Sequence, residues 1–302
     1  MVVLFRSERR PRSARIHNLT LPSMKWFLVL LLAMIVFGAA AFFSYNLIFK
    51  EEIAVKKEQR GEITPAPTPD ISLPEFESAA KLRQDGKLTE ARDALTAFIQ
   101  KYPAGLHLEE AKDLLGEVNI DIFLSRYPSP EKTDYLVKSG DVLAKIARKL
   151  KTTPELIMRM NNLSGTMLHI GEHLLISHPD FSIVIQRKAN VVVLLNHGTF
   201  FKQYHVREAK LPPKQPAKVT AKVAETMAWK DGKRIGLGSK DYIGSTRWIR
   251  LSTPAYTLYS VADSAHPNIT QPPPPLGLGL AASDAEELSS LVNNRTPVTI
   301  ID

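Results

Sequence analysis

Residues Leu276–Ile300 read LGLGLAASDAEELSSLVNNRTPVTI, and the fold of the C-terminal part of the chain turns on how they are read. Two glycines among leucines predict a loop, one that displays only Leu, Gly and Ala and holds nothing that can react. Ser283 then stands three residues before Glu286, the spacing of a capping box, in which each side chain satisfies a free backbone N–H at a helix start. Leu288, Leu291 and Val292 give that short helix one apolar face, and Asn293-Asn294 end it. Thr296 to Ile301 follows as a strand.

Working upstream, β-prone runs occur at Ser182–Ile185, Val191–Leu195, Thr199–Val206, Lys218–Ala224, Trp248–Leu251 and Tyr256–Val261, separated by turns such as Asn196-His197-Gly198. Several short strands with one late helix predict a mainly-β domain over residues 181–302, built as a barrel or a sandwich. His266 lies in the turn-like run SAHPN, where a solvated loop histidine is expected.

Residues 135–176 read YLVKSGDVLAKIARKLKTTPELIMRMNNLSGTMLHIGEHLLI. Tyr135 to Lys138 alternates as a strand, and Ser139-Gly140-Asp141 turns and caps a helix. Leu143, Ile146, Ala147 and Leu150 form the buried face of that helix. Thr153 caps a second helix, with Pro154 at a first position that needs no N–H. Leu156, Ile157 and Met160 face inward, Asn161-Asn162 end the helix, and Gly171 turns into a closing strand, Leu174–Ile176.

This βααβ order resembles the LysM domain at the Tyr135/Val137 strand, the Ser-Gly-Asp turn, Ile146-Ala147, Leu156 with Asn161, and Ile170-Gly171. The resemblance implies binding of N-acetylglucosamine-containing glycans, usually peptidoglycan. It places the groove between Gly140, Asp141, Val142 and Leu143 on one side and Met167, Leu168, His169 and Ile170 on the other. Asp141 is open to two readings, helix cap or sugar contact.

The C-terminal domain resembles the L,D-transpeptidase catalytic domain of YkuD type. The resemblance is carried by Ile183-Val184-Ile185, Val192 to Gly198, Trp229 with Asp231-Gly232-Lys233, Gly244 with Arg247 to Leu251, Asp284 to Leu288, and Thr296 to Ile300. That family uses a cysteine thiolate, a histidine base and an arginine. Counting back from Asp284 puts the cysteine position at Gly277 and the arginine position at Gly279. The histidine position falls on Tyr259. The resemblance therefore implies a pseudoenzyme, since a glycine has no side chain to ionise.

Trp26–Phe49 (WFLVLLLAMIVFGAAAFFSYNLIF) carries no charge and exceeds the roughly 20 residues that cross a bilayer. Arg6, Arg9, Arg10, Arg12, Arg15 and Lys25 precede it, which predicts a cytoplasmic N-terminus. A cleaved signal peptide ending near Ala39-Ala40-Ala41, with translation from Met24, is the rival reading. The proline-bearing stretch TPAPTPD at residues 64–70 marks a linker. Beyond it, Ala80, Gly86, Ala91, Leu95, Phe98 and Ile99 resemble a tetratricopeptide-type helical hairpin, with a third stripe at Leu108, Ala111, Leu115, Val118 and Ile122. About one and a half units are present, below the three or so that stand alone, so a helical spacer packing on its neighbour is expected.

The chain has 302 residues, 44% apolar and 23% charged, which allows two or three packed domains. The net charge of +8 owes much to the residues before the apolar run, and no basic helix with interleaved aromatics suggests nucleic acid. There are no cysteines, so thiolate chemistry and cysteine-ligated metals are excluded.

The expected organisation is a multidomain α+β protein with a basic cytoplasmic tail (1–25), a transmembrane helix (26–49), a linker (50–73), tetratricopeptide-like helices (74–126), a LysM module (133–178) and an L,D-transpeptidase-like domain (181–302). The expected function is a peptidoglycan-binding protein of the bacterial inner membrane, its bulk periplasmic, with no cofactor or metal. Stem peptides and other cell-wall proteins are further candidate partners. Two alternatives stand beside it: a divergent transpeptidase or carboxypeptidase without cysteine, and a purely structural adaptor.

Overall fold

The apolar periods that begin near Leu73 fold into three helices, α1 (Leu73–Gln84), α2 (Leu88–Lys101) and α3 (Leu108–Leu124). The structure is a computed structural model that describes residues 34, 70–269 and 272–302. The expected tail, the expected span Trp26–Phe49 apart from Met34, and residues 50–69 of the linker lie outside the described residues. Among the described residues no helix is long and apolar enough to cross a membrane.

Ala79, Ala91, Leu95, Phe98, Ala111, Leu115 and Val118 meet in the core of the three helices. Ala79, not Ala80, is the inward residue of α1. Gly86, at φ +74°, makes the tight turn between α1 and α2, a conformation open to glycine at little cost.

The next module runs β1 (Lys132–Leu136), α4 (Leu143–Lys149), α5 (Pro154–Met160) and β2 (His173–Ser177), the strand–helix–helix–strand order read from sequence. β1 and β2 pair antiparallel with Tyr135 opposite Leu174. Thr153 caps α5 as expected, accepting from Leu156 N at 3.0 Å. Asn161 ties the end of α5 to β2: its amide donates to Leu175 O and its carbonyl accepts from Leu175 N, both at 2.8 Å. Asp141, by contrast, does not cap α4. Val142 is the cap residue and makes no side-chain bond there.

The C-terminal strands are β3 (Phe181–Gln186), β4 (Val191–Asn196), β5 (Thr199–Lys210), β6 (Lys218–Lys230), β7 (Lys233–Ile235), β8 (Thr246–Leu251), β9 (Leu258–Val261), β10 (Gly277–Ala281) and β11 (Pro297–Ile301). One helix, α6 (Ala282–Leu291), separates the last two. The order is β11-β3-β4-β5-β10-β9-β8-β6-β7, and β11 also pairs with β6, so the ladder closes on itself. The long strands β5 and β6 each serve two neighbours. β5 pairs with β4 through its first half and with β10 through its second, and β6 divides likewise between β11 and β8.

Two expectations about the glycine stretch are corrected here. Gly277–Ala281 is a wholly buried strand, parallel to β9 and antiparallel to β5, not a loop. Nor does the capping box form. The cap residue of α6 is Ala281 with no side-chain bond; Ser283 N donates instead to Asp263 Oδ2 at 2.7 Å. Glu286 Oε1 accepts from Gly244 N at 2.7 Å.

The three parts of residues 70–302 are packed together. Leu156 and Met160 of α5 and Ile120 and Phe123 of α3 belong to the same core as Ile183, Leu194, Leu280 and Leu288 of the β domain. Ile157 and Met158, on the other side of α5, sit in the separate core of the βααβ module. The helix therefore has two buried faces.

Candidate functional site

The two loops predicted to form a groove leave the same end of the β1–β2 ribbon. Val137 N donates to Glu172 O and Gly171 N to Val137 O, each at 2.9 Å, so the chain enters one loop beside the point where it leaves the other. Gly140 and Gly171 take φ +79° and +86° at the two turns.

Val142, Met167 and Ile170 are 49%, 79% and 74% exposed, and His169 is also exposed. A cluster of exposed apolar side chains on two adjacent loops is the kind of surface that marks a binding site. Leu143 behaves differently: it is 2% exposed and belongs to the module's core. Leu168 is half-buried and packs against that core, as does Leu237 of the β domain.

Asp141 accepts from Tyr135 Oη at 2.8 Å and from Lys138 N at 2.9 Å. These bonds hold its carboxyl below the usual carboxylate range and raise the Tyr135 phenol. Asp141 thus shapes the loop rather than the helix end.

Tyr259, Gly277 and Gly279 are brought together in the sheet, on the parallel strands β9 and β10, with Gly279 opposite Tyr259. Tyr259 is 1% exposed, and both glycines are buried. A methyl group built on Gly277 would lie 3.2 Å from Tyr259 Cδ1, and one on Gly279 would lie 3.2 Å from Tyr259 Cε2. The ring thus lies against both glycines, where Thr257 O and Val261 Cγ2 come closer still, at 2.3 Å and 2.4 Å from the same two added carbons. Its hydroxyl donates to Glu208 Oε2 at 3.0 Å. Burial, with Glu208 adding to it, pushes the Tyr259 phenol up to about 12, so it stays protonated at physiological pH.

His266 is not the solvated loop residue its sequence context suggests. Its side chain is 17% exposed, with Nδ1 3.2 Å from Asp263 Oδ1 and Nε2 3.8 Å from Glu286 Oε2. Arg247, 3% exposed, completes this cluster through Glu286 Oε1 at 3.3 Å, with its guanidinium 4.3 Å above the Tyr242 ring. The sequence held no local signal for this grouping, because its members are spread between Tyr242 and Glu286 over the β7–β8 connection, β8, the segment after β9 and α6. Among the described residues no group of three or more His, Cys, Asp or Glu is arranged to hold a metal ion.

Residues 135–177 match the LysM domain family. The chain is also similar in structure to solved L,D-transpeptidases. With a mutant L,D-transpeptidase from Enterococcus faecium it shares 12% identity over 40% of this chain and 50% of that one, at a TM-score of 0.27. With an L,D-transpeptidase from Stackebrandtia nassauensis the figures are 14%, 41%, 56% and 0.28. With an L,D-transpeptidase from Mycobacterium smegmatis they are 9%, 44%, 64% and 0.28. The chain thus spans half to just under two thirds of the length of these three structures. No curated protein matches it.

Proposed function

We propose that this protein binds the peptidoglycan of a bacterial envelope through its LysM module, is held in the inner membrane by one helix at Trp26–Phe49, and uses its C-terminal domain as a rigid, non-catalytic frame. The observation that carries the reading is the LysM match over residues 135–177, on a module that exposes Val142, Met167 and Ile170 at its two adjacent loops. LysM domains bind peptidoglycan glycan through N-acetylglucosamine. Apolar side chains suit the C–H faces of sugar rings, and a side chain at Gly140 would meet nothing within 4 Å, so the groove edge there is open. A shallow, partly apolar groove buries little surface, which favours a dissociation constant of about 100 μM.

Sedimentation of the full chain with purified sacculi, together with titration of chitotetraose, tests the reading. Binding that falls at least tenfold in Val142→Glu and Met167→Glu is the expected result. Absence of binding to both ligands by the unaltered chain would defeat it.

The ring of Tyr259 beside Gly277 and Gly279 supports the non-catalytic reading, because nothing at those positions can attack a peptide bond. Incubation with muropeptides, read by mass spectrometry, should give no cross-linked, exchanged or trimmed product. Turnover dependent on the protein would instead establish an enzyme with different chemistry. A reporter fused after Asp302 should be active only when exported, in keeping with the basic residues before Trp26. Cytoplasmic activity of that reporter would reverse the orientation.

A further inference from the structure

A cavity of about 620 Å³ opens where the LysM module meets the end of the β domain, and its walls carry Arg148, Lys151, Thr152, Asp180, Asn294 and Arg295. Three of these side chains are cationic and come from two modules: Arg148 from the last turn of α4, Lys151 from the segment just after it, and Arg295 from the turn between α6 and β11. All three are exposed. Among the described residues none of them has an acidic partner within 4.0 Å. The one carboxylate of the cavity, Asp180, lies 3.9 Å from His197 instead. The hydroxyl of Thr152, in the cavity wall, has no hydrogen-bond partner among the described residues.

The buried basic side chains Lys202 and Arg247 are paired with Glu117 and Glu287 and with Glu286, respectively, whereas the three cations of the cavity are exposed and have no carboxylate partner among the described residues. Three unpaired cations around one cavity repel one another, and an anion among them would remove that repulsion. Arg148 can also favour the C-terminal end of α4 through the helix dipole. That explanation leaves out Arg295, which belongs to another module.

From these observations we infer that the cavity is a carboxylate-binding site for the peptide appended to the glycan that the LysM groove holds. The inference rests on the glycan reading and extends it. Val142, exposed at the groove, is the cap residue of α4, whereas Arg148 stands in its last turn and Lys151 two residues past its end. A seven-residue helix spans about 10 Å. A stem peptide of four residues spans up to about 14 Å when extended, longer than the helix that separates Val142 from Arg148. Its carboxylates match guanidinium groups in geometry as well as charge. A phosphate polymer would satisfy the same cations without needing the groove beside them.

Calorimetric titration of the full chain with four probes tests the assignment: chitotetraose and a peptide-free disaccharide, neither of which carries peptide; a disaccharide–tetrapeptide with free carboxylates; and poly(glycerol phosphate). The disaccharide–tetrapeptide is expected to bind about tenfold tighter than a peptide-free disaccharide, as two or three partly exposed charge contacts allow. The gain should shrink as salt rises. Arg148→Glu with Arg295→Glu should abolish it while leaving chitotetraose affinity unchanged, and Arg148→Gln with Arg295→Gln guards against a folding defect in the first pair. Equal affinity for the disaccharide with and without peptide would overturn the assignment, as would tight binding of poly(glycerol phosphate) alone. Loss of chitotetraose binding with retention of the charge-dependent peptide gain would defeat the glycan reading and leave the carboxylate site standing.

Discussion

A β-carbon added at Gly277 would meet the carbonyl oxygen of Thr257 at 2.3 Å, a distance that no side chain tolerates. That oxygen is fixed, because it accepts from Leu278 N at 2.9 Å. Gly277 also adopts φ +154°, at the edge of the region that favours glycine. Any larger residue introduced there would have to displace the β9–β10 pairing. Gly279 is tight in a different way: its added carbon would meet Val261 Cγ2 at 2.4 Å, the end of a side chain that can turn aside. Overfilling a packed site costs about 1–3 kcal/mol and more where backbone must move. Gly277→Ala is therefore expected to lose about 3 kcal/mol or more and Gly279→Ala about 1–2 kcal/mol, measured by urea unfolding with the slopes held equal. A Gly277→Ala protein as stable as its parent would show that the strand is not locked against Thr257.

Helix α6 begins without a cap of its own, and Asp263 supplies one from the segment after β9. Burial disfavours its charge, but the bonds from Ser283 N and from His266 N, each at 2.7 Å, outweigh that and hold the carboxyl well below the usual range. A carboxyl depressed in the folded state adds stability that is complete above its unfolded pKa, about 3.9, and fades as pH falls below it. Asp263→Asn should lower the melting temperature at pH 7 by about 2–4 °C, the size expected for roughly 1 kcal/mol at this chain length. The gap between the two proteins should narrow steadily as pH drops below 4 and close only below the carboxyl's depressed folded pKa. A gap that stays constant from pH 7 to pH 2 would rule out a charged cap. The same helix shows why part of the fold was hidden in the sequence. Ser283 and Glu286 have the spacing of a capping box, yet the partner that wins lies 20 residues upstream of Ser283. In β10 the glycines hid a central strand, because glycine in a strand interior is unfavourable unless neighbours approach as closely as Thr257 and Tyr259 do. The LysM module was legible almost throughout, since Thr153, Pro154 and the pattern of Ile146, Ala147 and Ile157 act within a few residues of themselves. The gathering of Tyr259 with Gly277 and Gly279 follows from a parallel pairing of β9 and β10 that no local pattern encodes.

Residues 70–302 gather into one compact unit, and Glu287 on α6 shows how its parts are tied. Its carboxylate accepts from Lys202 Nζ at 2.7 Å and from Tyr204 Oη at 3.0 Å, and it faces Arg159 of the LysM module at 3.6 Å. Lys202 also reaches Glu117 of α3 at 2.6 Å. Burial alone would lower the Lys202 ammonium, but these two carboxylates raise it, so the lysine stays charged in the interior. The LysM module is further joined by Thr153 Oγ1 donating to Ser290 O at 2.6 Å and by Tyr242 Oη donating to Glu155 at 2.7 Å. With Leu156 and Met160 embedded in the β-domain core, separating the module would expose apolar surface and strand a buried ion cluster together. The described unit should therefore unfold as one cooperative step in calorimetry, with van't Hoff and calorimetric enthalpies equal. Glu287→Gln leaves Lys202 buried with a single carboxylate and should lower the stability of that step by about 3 kcal/mol, the scale for removing one member of a buried pair. The midpoint should move as a whole, without a second transition appearing. A separate, earlier melting of the LysM module in the unaltered chain would mean that its contacts with the β domain carry no stability. In that case the groove and the cationic cavity would not be held at a fixed separation.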